Sequence, residues 1–117
     1  IICEDHLSAI RLRQHDNVVA LSGTSLSHTN CRDLAQMYSR FIFWLDPDEP
    51  GRQAFYKNLK RLKWHCNKEE ITSLYTSNNR KKYRFFRVDY DKITEDPKSI
   101  LDSRIKNILN KELIQCE

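Results

Sequence analysis

The sequence predicts an α/β fold, a mainly parallel sheet of about four strands flanked by helices on both faces. Three observations carry this. Short apolar runs alternate with segments of helical periodicity along the chain. The best runs, Asn17–Leu21 and Arg40–Leu45, are continuous rather than alternating, as strands covered on both faces are. The 117 residues, 39% of them hydrophobic, suit one domain with one core spanning residues 1–117.

The elements follow in order. Ile1-Ile2-Cys3 favours an extended backbone and leads into Asp5, a good N-cap for a helix to about Gln14 with Leu7, Ala9, Ile10 and Leu12 at near-helical spacing. Asn17–Leu21 reads as the second strand, and Ser22–Ser25 as a turn. Thr29–Tyr38 reads as a helix with Leu34, Met37 and Tyr38 facing inward. Arg40–Leu45 is the strongest strand and stops at Asp46-Pro47. Pro50 then suits the first position of a helix to about Cys66, whose apolar stripe is Phe55, Leu59, Leu62 and Cys66. Ile71–Thr76 and Tyr83–Val88 read as two short strands joined by a Ser77-Asn78-Asn79 turn. A last helix starts at Asp96-Pro97, with Ile100, Leu101, Ile105, Ile108 and Leu109 on its inner stripe. Trp44 and Trp64 are both expected in the core.

Composition excludes several classes. A charged share of 31% and a mean hydropathy of −0.71 describe a soluble protein with a heavily wetted surface, and free thiols would suit a reducing cytoplasm. The longest strongly apolar run, Phe41–Leu45, is far too short to span a bilayer. No basic leader precedes an apolar stretch, which argues against a secretory signal. Cys3, Cys31, Cys66 and Cys116 are widely spread and read as free thiols. A zinc site built from His28, Cys31, His65 and Cys66 has none of the compact zinc spacings. The net charge of +4 divides into −3 over residues 1–49, +9 over 50–88 and −2 over 89–117. Acidic ends around a basic middle suit a protein that holds cations beside phosphates; a solvated helix face with a charged loop gives the same pattern.

The chemistry concentrates at two strand ends. In an open α/β sheet the functional crevice lies off the carboxyl ends of the strands. Glu4 and Asp5 follow the first strand, and Asp46 and Asp48 the third. Pro47 keeps Asp46 extended, so residues 46 and 48 are expected to point the same way. Grouped carboxylates repel and stay ionised around a cation, and Mg2+ prefers a few carboxylates plus water and phosphate. Asp48 or Glu49 capping the next helix is the alternative reading.

These segments together resemble a Toprim domain, the metal-binding module of bacterial and phage primases, type IA and II topoisomerases and some nucleases. Ile1–Asp5 with Leu7–Ile10 is similar to that family's first strand, glutamate and helix. Val18–Leu26 is similar to its second strand and the Gly-Thr-x-Leu turn of primases. Phe43–Arg52 is similar to its Asp-x-Asp-x-x-Gly-Arg motif, and Asp96-Pro97-Lys98 to a segment of phage-type primase Toprim domains. Asp5 and Ser8 depart from the pattern, standing where a glycine and a second acidic residue are usual.

The resemblance implies a Rossmann-like Toprim fold, in a single domain that is a fragment of a larger phage-type or bacterial DNA primase. It implies Mg2+-dependent nucleotidyl transfer that makes RNA primers for DNA replication. Glu4, Asp46 and Asp48 would be catalytic and, with Asp96, would hold Mg2+ or Mn2+. Single-stranded DNA template and nucleoside triphosphates would be the ligands, and the replicative helicase or other primase domains the partners, in a bacterial cell or a phage-infected host. A chain of this size holds neither a template-reading zinc domain nor a further catalytic subdomain, so little activity is expected of it alone. A Toprim nuclease and a non-catalytic nucleic-acid-binding module are the rivals. Gly23, Arg52, Lys57 and Lys98 are candidates for contacting nucleic acid or nucleotide, as are Lys60, Arg61 and the basic run Arg80–Arg87. Phe85 and Phe86 read as core residues of a strand rather than base-stacking groups.

Overall fold

The computed structural model describes residues 1–21, 25–76 and 82–116, with side chains as far as residue 73 in the middle segment. Its elements are β1 (Ile2–Cys3), α1 (His6–Leu12), β2 (Val19–Ala20), α2 (His28–Met37), β3 (Arg40–Trp44), α3 (Glu49–Thr76), β4 (Arg84–Arg87), a 3-10 turn (Pro97–Ser99), α4 (Asp102–Lys111) and β5 (Ile114–Cys116). They form one five-stranded sheet in the order β2-β1-β3-β4-β5. The first three pairings are parallel and β4–β5 is antiparallel.

Side chains of successive strand residues leave opposite faces of a sheet, and each face here has its own core. Ile2, Phe41, Phe43 and Leu45 pack with Leu34 and Ala35 of α2 and Ala54, Phe55, Leu62 and Cys66 of α3. Cys3, Trp44 and Val88 pack on the other face with Leu12 of α1 and Ile105 and Ile108 of α4. Burying a side chain of Phe or Leu size contributes roughly 1.5–3 kcal/mol. The two-sided covering explains why the central strands read as unbroken apolar runs.

The structure corrects several expectations. Ile71–Thr76 is not a strand but the last part of α3, which runs ten residues past Cys66. Nothing between Cys66 and Ile71 breaks a helix, and the hydroxyls of Thr72 and Ser73 bond back to the carbonyls of Lys68 and Glu70 at 3.0 and 2.8 Å. The Ser77–Asn79 turn and the Ser22–Thr24 part of the first turn lie outside the described residues. Asp96-Pro97 opens only a 3-10 turn, and α4 starts afresh at Asp102. The fifth strand, β5, pairs Cys116 with Phe85 and Ile114 with Arg87; three residues are too few to show a period. Trp64 is 58% exposed, and Leu7, Ile10, Met37 and Leu101 also face solvent. Trp44, Phe85 and the Phe55–Leu62–Cys66 stripe are buried as expected. The four cysteines are free thiols. Among the described residues, no helix is long and apolar enough to cross a membrane.

Candidate functional site

β1 and β3 are parallel neighbours with Cys3 opposite Trp44, so the residues after them leave the sheet side by side. Glu4 and Asp46 are therefore adjacent, and the Asp46 backbone N–H donates to Glu4 Oε1 at 3.3 Å. Asp96, fifty residues further along the chain, comes to the same place just ahead of the 3-10 turn. Burial, followed by the neighbouring Glu4 carboxyl, pushes the Asp46 carboxyl up to about 6, with interactions reaching Asp96 and Asp48. Asp96 is raised too, first by burial and then by the charge of Asp46. Like charges so close each favour their neighbour's neutral form.

Asp48 takes up the capping role that was the alternative reading of this position. Its Oδ1 accepts the backbone N–H of Gly51 at 2.7 Å, and its carbonyl accepts that of Arg52 at 2.9 Å. It is the N-cap of α3, so the capping reading holds for one of its two carboxylate oxygens. Gly51 explains the spacing of the motif. A Cβ on Gly51 would lie 2.0 Å from the Asp46 carbonyl oxygen, so the first turn of α3 can close on the Asp46 loop only with glycine there. Asp5 likewise caps α1 through the Ser8 N–H at 2.7 Å, and that bond chiefly holds its carboxyl below the usual range.

The other candidates are dispersed. Lys98 lies 3.7 Å from Asp5 and 3.8 Å from Asp96, where it offsets part of the acidic charge. Arg52 lies 3.8 Å from Asp91 and lines a hollow of about 200 Å³ with Tyr56, Arg87 and Tyr90. Lys57 is two turns into α3, on its exposed surface. Gly23 lies outside the described residues. His28 and His65, read as having no ligand spacing, sit 3.0 Å apart between Nδ1 and Nε2. Sequence reasoning missed Asn58, fully buried in α3. Its Oδ1 accepts the Leu26 N–H at 2.8 Å and its amide donates to the Ala54 carbonyl at 2.7 Å, which fixes the end of the β2–α2 loop against α3. Only an isolated Asn on an otherwise apolar helix face marked it.

Among the described residues, no three His, Cys, Asp or Glu side chains form a ready-made metal cage. The carboxylates nonetheless fit a hard cation. Glu4, Asp46 and Asp96 supply oxygen donors only, and burial with mutual repulsion raises Asp46 and Asp96, with Lys98 offsetting only part of the acidic charge. An ion that keeps several waters, as Mg2+ does, needs no closed cage.

A mostly parallel, two-sided sheet with clustered carboxylates at its carboxyl edge defines an α/β module with an acidic crevice at that edge. The Toprim-like family model matches residues 1–83, and the chain belongs to that family. The match takes in Glu4, Asp46, Asp48 and Gly51 and stops short of Asp96. No curated protein and no solved structure matches the chain.

Proposed function

We propose that this domain is the nucleotidyl-transfer module of a DNA primase of the phage or bacterial type, making RNA primers on single-stranded DNA. The observation that supports it is the meeting of Glu4, Asp46 and Asp96 at the carboxyl edge of the sheet. Glu4 and Asp46, joined by Asp96 and the free oxygen of Asp48, would hold Mg2+ or Mn2+. Such an ion supplies charge neutralisation and alignment for phosphoryl transfer. The chain's own part is positional. The β1–β3 pairing fixes Glu4 against Asp46, Gly51 lets the Asp46 loop seat on α3, and Lys98 holds Asp96 toward Asp5. Arg52, beside Asp91 in the hollow lined by Tyr56, Arg87 and Tyr90, would be a candidate to meet a phosphate. The template, nucleoside triphosphates and replicative helicase belong to this reading, with further primase domains completing the activity.

A magnesium and manganese titration followed by backbone amide NMR tests it, repeated on Asp46→Asn. Shifts clustered at Glu4, Asp46 and Asp96 that vanish in the variant are expected. No shift at millimolar metal would overturn the metal assignment. Incubating labelled single-stranded DNA with nucleotides and the completing primase domains then separates the activities. A primase lengthens primers, and a nuclease shortens the substrate.

A further inference from the structure

The outer face of α3 carries a feature that the carboxylate site does not use. Between Glu49 and Glu69 the helix has no acidic residue. At 100° per residue, Lys57, Lys60, Arg61, Trp64 and Lys68 fall within an arc of about 100°, and they span about 17 Å along the axis. His28, Lys57, Lys60, Arg61 and Trp64 line an open hollow of about 420 Å³. Trp64 is 58% exposed at its centre, with Lys68 Nζ 5.5 Å from its ring centroid. The ring stands edge-on to His65, at 4.7 Å between centroids, with the Lys68 ammonium over it and more than half of its surface exposed. Positive charge accumulates here strongly enough that His65, with burial the larger cause, is held below its ordinary range by His28, Lys68, Arg32 and Arg61 together.

We propose that this face binds a single strand of nucleic acid, with Trp64 stacking on one base and Lys57, Lys60, Arg61 and Lys68 following the phosphates. Two independent observations favour that occupant. A row of cations, Lys57, Lys60 and Lys68 with Arg61 tied to the Leu26 carbonyl among them, matches a polyanion in charge and direction, and an exposed indole offers the flat surface that an unpaired base covers. A duplex keeps its bases stacked inside and has no use for the ring. An acidic protein surface would match the charge but would not call for the aromatic plane. The proposal rests on the nucleic-acid reading above and deepens it. α3 begins at the carboxylates, so a strand lying along the helix is led toward them.

The two tryptophans make the test direct, because Trp44 is 2% exposed and Trp64 is not. Oligothymidylate is titrated into the whole chain without metal while tryptophan emission is followed. Saturable quenching is expected, weaker with a duplex. Anisotropy of a labelled oligonucleotide then compares variants. Trp64→Ala should weaken binding roughly tenfold or more, and Trp64→Phe should keep most of it. Lys57→Ala and Lys60→Ala should each flatten the log–log salt dependence by about 0.7. Absence of quenching, equal quenching by duplex, or unchanged affinity in Trp64→Ala would overturn the proposal. Metal shifts without quenching would remove this face alone, and quenching without metal shifts would remove the catalytic reading alone.

Discussion

The carboxyl edge of the sheet and the outer face of α3 are both crowded with like charges, but they tolerate the crowding in different ways. At the sheet edge, Glu4, Asp46 and Asp96 are brought together by backbone that the fold fixes, so the repulsion remains and raises Asp46 and Asp96. On α3, Lys57, Lys60 and Lys68 have long side chains that spread into water, and their repulsion is largely screened. Fixed charges on buried backbone store unfavourable energy until a counter-ion arrives. Flexible surface charges store little, and their value lies in capturing a partner. Changes at the first region should therefore alter the fold and metal response together, whereas changes at the second should leave stability nearly untouched.

The largest expected effect breaks the first region and spares the second. In Gly51→Ala the new methyl would meet the Asp46 carbonyl at 2.0 Å. That contact is with backbone and cannot be relieved by a side-chain rotation. Overpacking of this kind costs about 2–3 kcal/mol, more than the helix propensity gained from alanine. Urea unfolding should show the loss, and the metal-dependent NMR shifts should weaken or disappear. Oligothymidylate quenching of Trp64, three turns further along the same helix, should persist in the folded fraction. An unchanged midpoint would mean that the Asp46 loop has room the structure denies it.

Asp48 can be divided into its two roles. Asp48→Asn keeps an N-cap acceptor for the Gly51 N–H, and Asp48→Ala removes it at a cost of about 1 kcal/mol. Both remove the negative charge. If Asp48 contributes to the cation site, the two variants should lose metal affinity alike while only the alanine loses stability. Retention of full metal affinity in Asp48→Asn would reduce the residue to a helix cap.

The same contrast explains how much the sequence disclosed. The parallel core strands and the order of the first three helices were legible because each buries a continuous or periodic apolar set. Glu4 and Asp46 were legible because they directly follow those strands. Asp96 had to be taken from the resemblance, since its meeting with Asp46 depends on a turn whose path no local pattern encodes. Asp48 was only half legible, as capping and cation binding ask for the same residue type. Ile71–Thr76 misled because β-branched residues favour strands, yet here the helix simply continued. Trp64 misled for the opposite reason. An aromatic residue in a helix is usually buried, yet at 100° per residue Trp64 stands about 200° from both Leu62 and Cys66, on the side opposite the apolar stripe.

The smallest expected change is a gain. The Asp46 carboxyl stands at about 6 in the fold, against an ordinary value near 3.8. A carboxyl raised by folding binds its proton more tightly in the folded state, so its contribution to stability is present at low pH. That contribution falls as pH rises through the interval from about 4 to about 6, and at pH 7 the ionised group is a net burden. Without metal, Asp46→Asn should therefore be more stable than the parent at pH 7, by about 1 kcal/mol once solvent screening is allowed for. The difference between the two unfolding curves should shrink toward zero as pH is lowered to about 4. Asp96 is itself raised in part by Asp46, so the difference reports Asp46 together with the relief of its acidic neighbours. Adding Mg2+ should stabilise the parent and leave the variant unmoved, closing the gap from the other side. A variant less stable than the parent across this range would show that the Asp46 carboxylate is already compensated in the fold. The charge that is proposed to recruit a cation would then not be there to do so.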